Sequence, residues 1–222
     1  VTLRKRWLVS LVAVAVIVYL TMWLGWALRW DWLARVDLSV LGQFHGFGVD
    51  HPAWVTACNV LCTVFSPSAF RLAAVPLIVL AVVRRQWRIA IFLFLSVELA
   101  GVVTEIAKDV VNRPRPPTAF VAAYSTSFPS GHAMGAMAGV LALSVVLLPM
   151  IRDSWRRWAI AAGAVVVVAV GTARVALNVH NPSDVIAGWA LGYLYFAGCL
   201  LVFARRSVTE EVETPEALDT ST

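Results

Sequence analysis

Charge is scarce in this chain. Lys, Arg, Asp and Glu together make up 14% of 222 residues, where a soluble domain carries roughly a quarter. With 60% hydrophobic residues and a mean hydropathy of +0.78, that deficit excludes an ordinary water-soluble globule. Cysteine is scarce too. Cys58, Cys62 and Cys199 are too few and too badly spaced for a zinc site or a disulfide framework. They read as buried small apolar side chains. The long apolar runs lack the alternation of a transmembrane β-barrel. A pI near 9.6 comes without any basic stripe interleaved with aromatics, so it does not indicate nucleic acid. No internal repeat is visible.

What remains is long apolar runs. About 20 such residues cross the roughly 30 Å of bilayer hydrocarbon as a helix. The sequence predicts an all-α membrane protein, a six-transmembrane-helix bundle. The spans fall near Trp7–Leu28, Ser68–Val83, Trp87–Lys108, Ser130–Met150, Trp158–Leu177 and Pro182–Ala204. Ala53–Phe65 is a shorter run cut off by Ser66-Pro67, and reads as an interfacial or re-entrant helix before the second span. The first run follows Arg4-Lys5-Arg6 but is long for a signal core and lacks a cleavage pattern, so it reads as a retained anchor. Basic clusters at Arg4–Arg6, Arg84–Arg88, Arg152–Arg157 and Arg205-Arg206 fall on one side of six spans. The positive-inside rule makes that side cytoplasmic, with both termini there. A seventh span would separate the first and last clusters. Residues 1–206 then form one membrane domain, and the acidic segment 207–222 is expected to be a disordered cytoplasmic tail.

Three segments carry chemistry, and all emerge on the opposite, extracytoplasmic face. Lys108 precedes Arg113-Pro114-Arg115-Pro116, where prolines stiffen an extended loop that presents guanidinium forks to a phosphate. Pro129-Ser130-Gly131-His132 opens the fourth span. Ser130 stands at an N-cap, Gly131 admits close approach of an anion, and His132 sits in the first turn. Arg174, His180 and Asp184 bracket the entry to the sixth span, with the carboxylate close enough to orient the imidazole. Glu105 lies three residues before Lys108 and is expected to pair with it. Glu98 is seven residues earlier, on the same helix face, without an assigned role. His45 and His51 read as interfacial.

These segments resemble the signature of the type 2 phosphatidic acid phosphatase family: Lys-x6-Arg-Pro, Pro-Ser-Gly-His, then Ser-Arg-x5-His-x3-Asp. Lys108 with Arg115-Pro116 matches the first, residues 129–132 the second, and Arg174, His180 and Asp184 the third. Arg113-Pro114 is an out-of-frame duplicate. Ala173 replaces the family's serine, which predicts weaker phosphate binding. The resemblance covers the core from the third span to the sixth. It implies a membrane lipid phosphatase with His180 as nucleophile, His132 as acid and base, and Asp184 holding the other nitrogen of His180. Lys108, Arg115, Ser130, Gly131 and Arg174 would bind phosphate, with Arg113 and Glu105 as possible additions. No cofactor or metal is expected. The partners are the bilayer and a lipid substrate in a bacterial plasma membrane. A polyprenyl diphosphate of cell-wall recycling is the first choice of substrate. Phosphatidylglycerol phosphate, phosphatidate or a prenyl-phosphosugar are alternatives, and a haloperoxidase or a non-enzymatic lipid binder or transporter are remote ones.

Overall fold

The computed structural model describes residues 2–212, with side chains over residues 9–203. Every regular element among them is helical: α1 Thr2–Ala27, α2 Asp31–Asp50, α3 Pro52–Val64, α4 Pro67–Val83, α5 Trp87–Leu93, α6 Ala100–Val111, α7 Gly131–Leu147, α8 Asp153–Ala176 and α9 Pro182–Val212. A π-helical turn, Phe94–Glu98, joins α5 to α6. Pro52, Pro67 and Pro182 each start a helix, where the missing N–H costs nothing. Ser66 caps α4, its hydroxyl accepting from the Ala69 amide at 3.1 Å. Asn112 and Asn178 adopt left-handed backbone just past α6 and α8, and so end those helices.

Six stretches among the described residues are long and apolar enough to cross a bilayer: Val9–Ala27, Pro52–Val83, Trp87–Val111, Gly131–Met150, Asp153–Ala176 and Pro182–Phe203. Large apolar side chains such as Val14, Leu72, Val102 and Val165 stand outward on them, as lipid-facing positions require. The six-span reading holds. Two details differ from it. The short helix before the second span, α3, runs in series with α4 as one apolar stretch. In addition, the stretch between the first span and Ala53–Phe65, to which the sequence reading gave no element, contains a 20-residue helix, α2, which packs on α8 and α9. Helical backbone runs on to Val212, past the Ser207 at which the acidic tail was expected to begin. Residues 213–222 of that tail lie outside the described residues.

α7 is the central helix, packed by α4, α6, α8 and α9. It buries Ala133, Ala136, Ala138 and Ala142 without residue, the small side chains that let membrane helices approach. On α9, a Cβ at Gly188 would lie 2.6 Å from the Ser130 carbonyl, and one at Gly192 would lie 2.6 Å from the Met134 carbonyl. Only bare glycine permits this contact. It brings the starts of α7 and α9 together, and the Ser130 amide donates to the Asp184 carbonyl at 2.9 Å. An apolar cluster of Phe70, Phe92, Leu93, Val97, Val170 and Phe196 fills the middle of the bundle. The end of α6, the starts of α7 and α9 and the end of α8 therefore meet at one end of the bundle. Arg84, Arg85 and Arg152 lie at the other end, on the connections α4–α5 and α7–α8, with Arg157 near the start of α8.

Candidate active site

A cavity of about 410 Å³ opens at that first end. Its walls hold Lys108 from α6, Arg115 from the α6–α7 loop, Gly131 and His132 from α7, Arg174 from α8 and His180 from the α8–α9 loop. The three segments thus converge as expected, with both imidazoles on one cavity. Lys108 is buried, and its ammonium donates to Glu105 Oε1 at 3.0 Å and to Ser125 Oγ at 2.8 Å. The Glu105 pairing inferred from spacing is present. The Arg115 fork donates to the Ser125 carbonyl at 2.6 Å and the Val179 carbonyl at 2.8 Å. It lies 3.2 Å from His180 Nε2.

His180 is fully enclosed. Its Nδ1 lies 2.8 Å from the Ser127 carbonyl, which only accepts, so Nδ1 carries the proton. Nε2 is then left with its lone pair, facing Arg115 and the cavity. Burial pushes the His180 pKa down to about 4; Asp184 opposes the shift, and Arg174 and Arg115 add to it. At neutral pH the ring is uncharged. Burial also lowers Arg115 from its ordinary value, helped by the charge of Arg174, and an anion in the cavity would offset both effects.

Two expectations about roles need correction. Asp184 does not hold His180 by a direct hydrogen bond, since its Oδ2 stands 3.8 Å from Nδ1. It acts on the segment around the histidine instead. Asp184 accepts from Ser127 Oγ, from the Asn181 amide at 2.7 Å and from Asn181 Nδ2 at 3.1 Å. Ser127 and Asn181 flank His180 in space, so the carboxylate fixes the backbone that fixes the ring. The second correction concerns Arg113, which does not face the cavity beside Arg115. It is buried, donating to Asp184 Oδ1 at 2.7 Å, Ser183 Oγ at 2.7 Å and Asp37 Oδ2 at 2.9 Å. Two residues apart, the arginines would share a face in a regular strand; the irregular loop after the left-handed Asn112 instead gives Arg113 to Asp37, Ser183 and Asp184, and Arg115 to the Ser125 and Val179 carbonyls.

Asp37, on α2, is the residue that sequence reasoning missed. It is 2% exposed, and besides Arg113 it accepts from the Ser183 amide at 3.0 Å and from Ser183 Oγ at 2.5 Å. Its signal was available. Leu33, Asp37 and Leu41 are buried at four-residue spacing, so a carboxylate stands where an apolar stripe should continue. Ser127, Ser125 and Ser183 carried no comparable signal.

Ser130 occupies the N-cap of α7, but its hydroxyl makes no cap bond; the buried Oγ has no partner among the described residues. Arg174 Nε is likewise buried and unpartnered. Orphaned buried donors are costly; Arg174 lines the cationic cavity, and Ser130 precedes its wall residue Gly131. That donor set suits an anion and would repel a metal cation. Ala173 does not line the cavity. It is buried against Cys58, Cys62 and Leu177, which accounts for an apolar residue there. Glu98 is also off the cavity. It closes the π-turn Phe94–Glu98, and its buried Oε1 has no hydrogen-bond partner among the described residues. His45 stacks on Phe120 at 5.0 Å and His51 on Phe47 at 4.0 Å, away from the cavity.

Residues 89–207 match the PAP2 superfamily. An undecaprenyl-diphosphatase of Sulfolobus acidocaldarius is 35% identical over 120 residues, 51% of this chain and 54% of its own length. Phosphatidylglycerophosphatase B of Bacillus subtilis is 38% identical over 96 residues, 41% and 47% of the two chains. This chain thus spans about half the length of those relatives. A lipid A 1-phosphatase of Rhizobium etli is 29% identical over 174 residues, 72% of this chain and 68% of its own. The crystal structure of a transmembrane PAP2 type phosphatidylglycerolphosphate phosphatase from Bacillus subtilis aligns with a TM-score of 0.69 at 24% identity, covering 93% of this chain and 98% of that one. That likeness carries the fold. The matched stretch encloses all three signature segments, from Lys108 to Asp184, and the chain belongs to the PAP2 superfamily.

Proposed function

We propose that this chain is a phosphatase of membrane lipids, with a polyprenyl diphosphate as its first-choice substrate. The observation that carries the reading is the cavity itself: Lys108, Arg115 and Arg174 line it together with a His180 whose Nε2 keeps its lone pair, with His132 on the same wall. A phosphoryl group would displace Ser125 from the cations that now hold it and take up the open donors of Ser130 and Arg174. His180 Nε2 attacks phosphorus as its bond to the leaving oxygen breaks, which in a diphosphate is the bridging oxygen, and His132 gives that oxygen a proton. Water, relieved of a proton by His132, then hydrolyses the phosphohistidine. The fixed cations neutralise the oxygens throughout, and Asp184 serves by holding Ser127 and Asn181.

A lipid substrate fits the surroundings. The cavity lies between α4 and α6, whose flanks bear Leu72, Val75, Val102 and Ile106, all exposed to the bilayer. The basic connections at the opposite end favour a cytoplasmic location there, which turns the site outward in a bacterial plasma membrane with the termini inside. Relatives named for undecaprenyl diphosphate, phosphatidylglycerophosphate and lipid A share the family, and their common feature is a phosphate or diphosphate on a lipid. Phosphate release from a panel of purified lipid phosphates and diphosphates, with His180→Ala beside wild type, tests the reading. Turnover by wild type and none by the variant is expected; lipid translocation without phosphate release would contradict it.

A further inference from the structure

The cavity reaches beyond the residues that the proposed chemistry uses. Its walls also hold Ser66, Ser68 and Arg71 from the start of α4, facing Gly101 on α6. Arg71 is half-buried, and among the described residues it forms no ion pair or hydrogen bond. Its guanidinium lies over Gly101, where a Cβ would collide with NH2. The missing side chain is what admits the arginine, so α4 and α6 together place a cation at this spot. No carboxylate there spends it: Glu105 is committed to Lys108.

The spacing defines what could use that cation. Gly101 and Lys108 are seven residues apart on one face of α6, about 10 Å along the axis. Lysine side chains on a helix reach back toward its N-terminus, and the Lys108 ammonium sits level with Glu105, roughly one turn nearer Arg71. The gap left is about 5 Å, the size of one further phosphoryl group.

We infer that Arg71, seated on Gly101 and flanked by the hydroxyls of Ser66 and Ser68, binds the second phosphate of a lipid diphosphate and makes this chain selective for diphosphates over monophosphates. The inference rests on the phosphatase reading above. The terminal phosphoryl lies against His180. Its bond to the bridging oxygen breaks as the bond to Nε2 forms, and the bridging oxygen takes its proton from His132. The lipid monophosphate that departs keeps the phosphate held by Arg71.

The test is the ratio of kcat/KM for an isoprenoid diphosphate to that for the monophosphate of the same chain. Loss of a charge-assisted contact predicts that Arg71→Gln lowers this ratio about tenfold or more. Gly101→Ala should lower it in the same way by displacing the guanidinium, and Arg71→Lys should restore part of it. A ratio unchanged in both Arg71→Gln and Gly101→Ala overturns the inference. A second measurement does not depend on turnover. Binding of inorganic pyrophosphate and orthophosphate is compared in detergent-purified His180→Ala with and without Arg71→Gln. Pyrophosphate should bind more tightly than orthophosphate only where Arg71 is present; an advantage that survives Arg71→Gln, or none at all, refutes the role of Arg71. If neither lipid is hydrolysed by wild type, the phosphatase reading falls, while the pyrophosphate comparison still decides Arg71.

Discussion

Removing the Asp37 carboxylate tests how the site is held. Asp37 sits on α2, touches nothing in the cavity, and accepts three hydrogen bonds, from Arg113, the Ser183 amide and the Ser183 hydroxyl. Asp37→Ala leaves a buried guanidinium with Asp184 as its one remaining carboxylate, and a buried N–H with no acceptor. Breaking a buried pair from one side costs about 3–5 kcal/mol, and an orphaned amide about 1–3 kcal/mol. The two overlap, and Asp184 still neutralises Arg113, so the expected loss is about 3–4 kcal/mol. Unfolding in mixed micelles across a denaturant series measures it, with Arg113→Met and the double variant completing a cycle. A coupling of about 1.5 kcal/mol or more is expected. In the folded fraction kcat should fall and KM change little, because Asp37 acts through Asp184 on the placement of His180. An Asp37→Ala cost below about 1 kcal/mol, with effects that simply add, would refute the network.

Four further outcomes follow from the same geometry. Gly188→Ala forces α9 away from the Ser130 carbonyl, and should cost about 1–3 kcal/mol by overpacking while lowering kcat, as unfolding and kinetics will measure. His180, at about 4 in the folded protein and near 6.5 unfolded, contributes stability that is complete above pH 6.5 and lost as pH falls toward 4. That loss is on the order of 3 kcal/mol, and a His180→Gln variant should show a flatter stability profile over this window. Turnover should survive a strong chelator, since the neutralising charges are covalent side chains; inhibition reversed by magnesium would contradict this. Finally, a cysteine at the fully exposed Tyr124 should react with an impermeant maleimide from outside intact cells, and one at Arg85 should not; the reverse pattern would invert the topology.

The sequence made the bundle and the cavity legible because both rest on local signals. A run of 20 apolar residues and a Pro-Ser-Gly-His step are read without knowing what lies opposite. α2 was not legible in this way. Gly42, Gly46 and Gly48 lower its helical propensity, Asp37 interrupts its apolar stripe, and its stability comes from packing on α8 and α9. The same holds for the support of the site. Arg113 looks like a twin of Arg115, and only their distant partners, Asp37, Ser183 and Asp184 for the first and Val179 for the second, separate their destinations. The spacing of Asp184 from His180 predicts proximity but not that Ser127, from a distant loop, supplies the carbonyl that fixes the ring. Those partners are set by long-range folding, which no local pattern records.

The central claim is that His180 becomes covalently phosphorylated. A rapid-quench single turnover with a lipid carrying a radiolabelled terminal phosphate examines it directly. A transient, acid-labile and base-stable label is expected, placed on His180 by peptide mapping and missing from His180→Ala. Label on another residue, or phosphate release by His180→Ala at the rate of wild type, would contradict it.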